Sequence, residues 1–383
     1  MEIELVTGIA AMERLRDEWL DLHAASAERT LYNHPDFCLS WLRHFGHHVA
    51  SAPRSEEAHD GRHAHPFLML ARREGRLDAV WPLRLVQLRR PGPDAGLVTR
   101  LKRRLPIWTL DGLINSHTDH AKLLLRAGSE QIGGALVAHV CAKARWHRLN
   151  FGAHESATAT GRALQAPPHT RETRRHHRHS RILRPTGHYS DYLAANPRLR
   201  KKIGRATRRL ERDFGPLTLD WYSGDPAIER GFDIFVEVDA ESWKHDADEG
   251  EALRDSPLPR AYYGELVRRF AALGRAHMCV MRLDGQPAAA DLNFECDGVL
   301  YIYKTSYKEA FATKGHHRPG FVLQAMVTER GWQAFDAIDL MSDRFQREWQ
   351  CDTYELVSQT RTATRPWRWL RSALPPRLPI DAG

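Results

Sequence analysis

The chain has 383 residues, of which 42% are hydrophobic and 27% charged, and a formal net charge of +8 with histidine neutral. This composition excludes a disordered or collagen-like chain, and the length exceeds one ordinary core, so two domains are expected. The basic balance favours anionic partners (phosphate-bearing cofactors, nucleic acid, acidic carriers, membrane surfaces) without choosing among them.

No stretch approaches the roughly 18 apolar residues of a membrane-spanning helix. The first residues, from Met1 to Trp19, carry acids early and no apolar segment, unlike a secretory signal. The five cysteines, Cys38, Cys141, Cys279, Cys296 and Cys351, are scattered and never in a CxxC pair. They fit small buried thiols in a reducing cytoplasm, the expected location.

In chain order, Met12, Leu15, Trp19 and Leu22 predict a helix over 12–23, and Phe37, Trp41 and Phe45 another over 35–48. A polar loop is expected over 51–65. Strands 66–72 and 77–88 pair around Glu74-Gly75, and a helix over 130–144 leads to a strand at 148–151. Residues 161–186 have few large apolar side chains and read as a connecting segment, with some strand at its end, between domains spanning 1–160 and 187–383. The second half opens with a helix over 189–214, a strand at 217–222, and helices over 227–244 and 259–273. Strands at 277–283, 287–296 and 299–306, a helix over 320–332, and strands at 337–341 and 353–361 complete it. Both halves place helices first and a hairpin after, which suggests a duplicated architecture.

The region from His277 to Trp349 carries the chemistry. Asp297-Gly298 is a strong hairpin signal. Counting from that turn places Asp291 opposite Lys304, Asn293 opposite Ile302 and Glu295 opposite Leu300. Asp291, Asn293, Glu295 and Lys304 then share one face, and Ala290, Leu292, Phe294, Tyr301 and Tyr303 the other. The Asp–Lys pair reads either as a surface cross-strand ion pair or as a cleft floor with a carboxylate serving as base or orienter. Beyond the hairpin, Lys314-Gly315-His316-His317-Arg318 precedes a helix opening at Pro319-Gly320. A strand, a donor-rich loop and an open helix N-terminus form a place to hold a phosphate.

Cations crowd the helix after Tyr189: Arg198, Arg200, Lys201, Lys202, Arg205, Arg208, Arg209 and Arg212. They read as a solvated face, or as a docking face for tRNA or an acidic carrier protein. Aromatics are nearly absent among them, so no base-stacking platform is offered. Neither His117–His120 nor His176–His179 has zinc-ligand spacing, and no metal is expected. The sequence has no G-x-S-x-G, P-loop or G-x-G-x-x-G pattern. An Arg- and Trp-rich end, including Trp367 and Trp369, reads as docking on its own protein or as peripheral membrane contact.

Several segments occur in a telling order: Ser242-Trp243-Lys244, Asp284–Phe294, Asp297–Phe311, the Pro-Gly helix start, a strand ending near Asp339, and Phe345–Trp349. Upstream stand Trp19 and Asn33–Gly46. In this order the chain resembles the CelD-like (cellulose-biosynthesis) branch of the GCN5-related N-acetyltransferase (GNAT) superfamily, which is similar to the tandem-domain Fem-type aminoacyltransferases. The resemblance implies an α+β fold of two tandem acetyltransferase-like domains, each a mixed, mostly antiparallel sheet flanked by helices.

It also implies an acyltransferase that moves an acyl group from acetyl-CoA or another acyl-CoA to an amine or hydroxyl of a small-molecule or glycan-precursor acceptor. By resemblance, Asp291, Lys304 and Tyr303 are the catalytic candidates. Tyr307, Gly315, His316, His317, Arg318, Gly320 and Phe321 would hold the cofactor. Trp243, Lys244, Asp343, Arg344, Gln346 and Arg347 would meet the substrate. The chain departs from the family in having Pro319 within its phosphate loop, and Phe345-Gln346 where relatives carry Tyr-Lys. Two alternatives accompany this reading: a Fem-like transferase using aminoacyl-tRNA, and a non-catalytic binding module of polysaccharide biosynthesis. Oligomeric state is not legible.

Overall fold

The computed structural model describes residues 1–48, 61–88, 107–115, 117–118, 120–143, 146–155, 157–164, 170–183, 187–224, 226–242, 252–313, 317–341 and 349–363. The chain divides into two compact units, Met1–His177 with Glu355–Gly383, and Arg178–Tyr354.

In the first unit, β1 (Glu2–Thr7) leads to α1 (Ile9–Arg14), α2 (Arg16–Ala24) and α3 (Pro35–Phe45). The strands β2 (Gly61–Arg73) and β3 (Arg76–Leu88) form a long hairpin. Its turn residues Glu74 and Gly75 have φ of 56° and 79°, the left-handed pair that two-residue hairpins favour. Next come β4 (Ile107–Asp111), the short β5 (Leu124–Leu125), α4 (Glu130–Lys143), β6 (Arg148–Glu155) and α5 (Ala159–Ala163). Strand β7 (Thr170–Leu183) follows.

The second unit runs α6 (Tyr189–Ala195), α7 (Pro197–Phe214), β8 (Leu217–Ser223), α8 (Ala227–Ala240) and α9 (Pro257–Ala271). The strands β9 (Ala276–Leu283), β10 (Gln286–Cys296) and β11 (Val299–Tyr307) precede α10 (Pro319–Gly331) and β12 (Ala337–Asp339). The last strand among the described residues is β13 (Asp352–Ala363).

The two units share a topology. In the first, β1 to β4 are successive antiparallel neighbours, β4 and β6 are parallel, and β6 pairs antiparallel with β13. In the second, β8 to β11 are antiparallel, β11 and β12 are parallel, and β12 pairs antiparallel with β7. A strand, helices, three antiparallel strands, a helix and a parallel strand occur in the same order twice. The sixth strand is exchanged: β7 follows the first unit's β6 in sequence yet pairs with β12, and β13 follows β12 yet pairs with β6. The expectation that the last strand completes the second half's sheet is therefore corrected. Alternation specifies a strand but not its partner.

Other sequence expectations shift locally. The helix expected over 189–214 is two helices, because Pro197 forces Asn196 out of the helical region, to φ −120° and ψ 65°. The helix expected over 12–23 is likewise two, meeting at Leu15. Residues 61–65, expected in a polar loop, extend β2 because the facing strand β3 is long enough to pair with them. The strands β1 and β4 had no expectation.

The second unit packs helices on both faces of its sheet. Leu199, Ala206 and Leu210 of α7, Tyr189 of α6, and Phe321, Val322 and Ala325 of α10 bury one face with Cys279, Met281, Leu300 and Ile302. Trp332 locks α6 to the end of α10, with its ring 5.2 Å from Tyr189 and 4.8 Å from Tyr192. On the other face Phe270 of α9 meets Phe294, at 5.1 Å between ring centroids. Such aromatic pairs contribute on the order of 1 kcal/mol beyond area burial.

Candidate functional site

In the second unit the two parallel strands pair over a short stretch. Pairing between β11 and β12 covers only Val299–Tyr301 with Ala337–Asp339, whereas β11 continues to Tyr307. Met341, at φ +54°, turns the chain after β12, and its N–H donates to Asp339 Oδ1 at 3.0 Å. Tyr354 donates its hydroxyl to the other Asp339 oxygen at 2.7 Å. Among the described residues the β11–β12 ladder therefore ends at Tyr301.

A bulge lies in the same stretch. Leu292 pairs with Lys304 but Asn293 pairs with Ile302, so Tyr303 is the inserted residue. Bulges disrupt the ladder and re-aim side chains. This corrects the register read from the Asp297-Gly298 turn. Asn293–Ile302 and Glu295–Leu300 pair as expected, but Asp291 lies opposite Thr305 rather than Lys304.

Asp291 and Lys304 therefore point to opposite faces. Lys304 Nζ lies 5.0 Å from the ring centroid of Tyr263 on α9, and Tyr303 packs on the same side, 5.5 Å from Phe294 and 6.2 Å from Tyr263. Asp291 shares the α10 face with Thr305 and Cys279 and is fully buried. Burial first, and the Asp291 charge second, raise the Cys279 thiol well above the usual range. Full burial removes the surface ion-pair reading. A turn dipeptide fixes register only up to the first irregularity, and the bulge begins beyond the fourth pair counted from it.

At the C-terminal end of β11, α10 begins with Arg318 as N-cap and Pro319 in its first turn, with no acidic residue in that turn. Helix N-termini carry unsatisfied N–H groups and a positive partial charge. A Cβ on Gly320 would lie 3.2 Å from Tyr307 Cδ1 and 3.5 Å from Thr305 Cγ2, so glycine lets the start of α10 rest directly on β11. Lys202 of α7 reaches over Phe321, with Nζ 5.3 Å from the ring centroid. Burial, and secondly the Arg318 guanidinium, hold the Lys202 ammonium below the ordinary lysine range.

His317 is held by Asp213, at 2.8 Å, and by Thr313, at 3.0 Å. Arg212 first, then His317, keep the Asp213 carboxyl far below its usual range. Two cations and a helix N-terminus thus converge, the composition of an anion site.

Of the residues read from sequence, Tyr307, His317, Arg318, Gly320 and Phe321 come together here. Gly315, His316, Trp243, Lys244, Asp343, Arg344, Gln346 and Arg347 lie outside the described residues. Lys202 was not a sequence candidate for this site. Its helical face was legible as basic, but its place over Phe321 depends on how α7 packs. Among the described residues, no group of three His, Cys, Asp or Glu could hold a metal ion.

The corresponding corner of the first unit is filled by its own chain. Beyond Asp111, the Gly112 N–H bonds Asn150 O at 3.0 Å, and the Ala121 N–H bonds Ala153 O at 2.9 Å. Gly152, at φ +63°, makes room for Ile114, whose Cγ1 would stand 2.8 Å from a Cβ there. Arg84, also buried, donates to His48 O at 2.8 Å and Ile114 O at 3.2 Å and lies over the Trp41 ring. Glu130 places an acid in the first turn of α4.

Residues 197–342 match the family model described as an acetyltransferase (GNAT) domain. That stretch runs from the start of α7 past β12 and holds both the parted strands and the start of α10. The second unit thus carries a GNAT-type acetyltransferase domain, and the protein is an acyltransferase. Among solved structures, FemX is similar with a TM-score of 0.57 at 10% identity, over 97% of this chain and 100% of FemX. A conserved protein of unknown function from Bacteroides thetaiotaomicron VPI-5482 is similar with a TM-score of 0.52 at 11% identity, over 94% of this chain and 100% of the other. At these identities the likeness shows the fold, two GNAT-like domains in tandem. No curated protein matches the chain.

Proposed function

We propose that the protein transfers an acyl group from acyl-CoA to an amine or hydroxyl acceptor at the parted strands of its second unit. The observation that carries this reading is the end of the β11–β12 ladder at Tyr301, with β11 running on to the start of α10 beside Lys202 and Arg318. An extended pantetheine arm has amides to pair with a strand edge. Its phosphates suit a helix N-terminus flanked by cations. Tyr307, Gly320 and Phe321 would shape the donor end of the site, with His317 anchoring the loop to α7. The gathered cations fit the anionic end of such a donor, although Pro319 removes one N–H from the cradle.

The main-chain groups loosened by the bulge at Tyr303 are the candidate donors to the thioester carbonyl. Tyr303 and Lys304, on the α9 side, would meet the acceptor. Asp291, buried on the other face, acts by positioning β10 and β11. An acceptor drawn from envelope or exopolysaccharide synthesis in the cytoplasm, as in the CelD-like branch, accords with the segment order.

A second reading, a Fem-like transferase using aminoacyl-tRNA, draws on the fold shared with FemX and on the cations of α7. Isothermal titration with acetyl-CoA, a long-chain acyl-CoA and unfractionated tRNA separates the two. Binding of a CoA ester that Gly320→Trp abolishes supports the first. Salt-sensitive tRNA binding with no response to any CoA ester would refute it.

A further inference from the structure

Near the end of α7 a hydroxyl, an imidazole and a carboxylate stand in series. Thr313 Oγ lies 3.0 Å from His317 Nδ1, and His317 Nε2 lies 2.8 Å from Asp213 Oδ2. All three residues belong to the second unit. The contacts use both ring nitrogens, so the imidazole bridges the other two groups.

The direction of the series follows from its far end. Arg212 donates to both oxygens of Asp213, at 2.6 and 2.8 Å. Arg212 first, and His317 second, hold that carboxyl far below its usual range. An ionised carboxylate only accepts, so Nε2 carries the hydrogen shared with Asp213. In the neutral imidazole Nδ1 is then an acceptor, and the Thr313 hydroxyl donates to it. The hydroxyl proton is thus aimed at a base whose tautomer is fixed by a carboxylate behind it, the arrangement that activates a hydroxyl nucleophile.

Exposure is greatest at the nucleophile. Thr313 is exposed, whereas only 10% of the His317 side-chain surface is open to solvent. The Phe214 ring meets the imidazole edge to face, with centroids 5.0 Å apart, and meets Phe311 in the same way at 5.1 Å. Phe214 therefore braces both the base and the short turn, Glu309–Phe311, that precedes the hydroxyl. A latch to α7 needs only the His317–Asp213 contact, and the exposed hydroxyl on the other nitrogen adds a reactive group to it.

We propose that Thr313 is itself an acyl acceptor. Activated by His317 and Asp213, it takes an acyl group from a small thioester or activated ester to give a Thr313 ester. Unlike the transfer proposed above, this chemistry uses a nucleophile of the protein. Thr313 Oγ attacks the acyl carbonyl, and a C–O bond forms as the bond to the leaving sulfur or oxygen breaks. The hydroxyl proton passes through His317 Nδ1 to that leaving atom, and Asp213 stabilises the imidazolium formed in between.

The test mixes the full chain, and its variants Thr313→Val, Thr313→Ser, His317→Gln and Asp213→Asn, with p-nitrophenyl acetate or acetyl-CoA, folding being checked by circular dichroism. Absorbance follows release of p-nitrophenol, or of thiol with a thiol reagent, and acid-quenched samples are mapped by peptide mass spectrometry. The wild type should carry an acetyl ester on Thr313, and Thr313→Ser should carry one on the serine, which a purely structural threonine would not predict. Thr313→Val should lose the ester and slow release about tenfold or more, and His317→Gln and Asp213→Asn should each slow release by a similar factor. Equal release by wild type and Thr313→Val, or acetyl groups found only on lysines, would overturn the proposal. So would labelling of Thr313 at the wild-type rate in His317→Gln and Asp213→Asn, which would leave the three groups as a latch. Calorimetry with acetyl-CoA keeps this chemistry apart from the proposed function. Acetyl-CoA binding with no Thr313 ester sinks only the Thr313 assignment, and a Thr313 ester formed from p-nitrophenyl acetate with no CoA binding sinks only the acyl-CoA reading.

Discussion

Replacing Lys202 by methionine should move stability and donor affinity in opposite directions. Methionine keeps the contact with the Phe321 ring but removes a charge that burial and Arg318 both disfavour. Lys202 is half-buried, so the relief is screened to about 0–1 kcal/mol. For a unit of this size that raises Tm by up to about 4 °C. A charged hydrogen bond to a phosphate contributes about 1.5–3 kcal/mol. Discounted for exposure, its loss should weaken acetyl-CoA about tenfold, or about 1.4 kcal/mol. Differential scanning fluorimetry and isothermal titration read the two effects separately.

The pH dependence gives a further sign. With the folded-state pKa of Lys202 below its ordinary value of 10.5, the unfolded chain binds the extra proton between the two values. Wild-type stability should therefore gain from this group as pH rises through that window, and Lys202→Met should lose the gain. A lowered Tm with unchanged affinity would refute the reasoning and make Lys202 a packing residue.

Further predictions follow from other parts of the molecule. Burial lowers the His277 pKa to about 4, so the unfolded chain takes up the proton first as pH falls below 6.5. Wild-type stability should drop by about 2.5 kcal/mol between pH 7 and pH 4.5 in urea titrations, and His277→Gln should flatten the drop. Arg84→Met strands Asp111, whose carboxylate lies 3.6 Å from the guanidinium, at a cost of about 3–5 kcal/mol. Denaturant unfolding should show that loss while acetyl-CoA affinity holds. Because the bulge sends Asp291 and Lys304 to opposite faces, the stability effects of Asp291→Asn and Lys304→Gln should add within about 0.5 kcal/mol. A larger coupling energy in that double-mutant cycle would contradict the register.

Much of the fold is written in local pattern. Asp297-Gly298 sets the β10–β11 hairpin with φ of 53° and 73°, and Glu74-Gly75 and Asp284-Gly285 do the same for two more. The order of helices and strands, the repeated architecture and the phosphate-suited start at Pro319-Gly320 need only spacing and turn chemistry, because they depend on neighbours in sequence. The pairing of β7 with β12 and of β13 with β6 joins strands far apart in the chain, and alternation within a strand carries no address for its partner. The inserted Tyr303 changes nothing in the local pattern. It is accommodated by Phe294 and Tyr263, which only the folded chain brings beside it. The filled corner of the first unit and the seat of Lys202 over Phe321 were likewise decided by packing. The sequence by itself determined the elements and the class of chemistry. The tertiary structure decided which strand completes each sheet, where the β10–β11 register shifts, and which cation lies over Phe321.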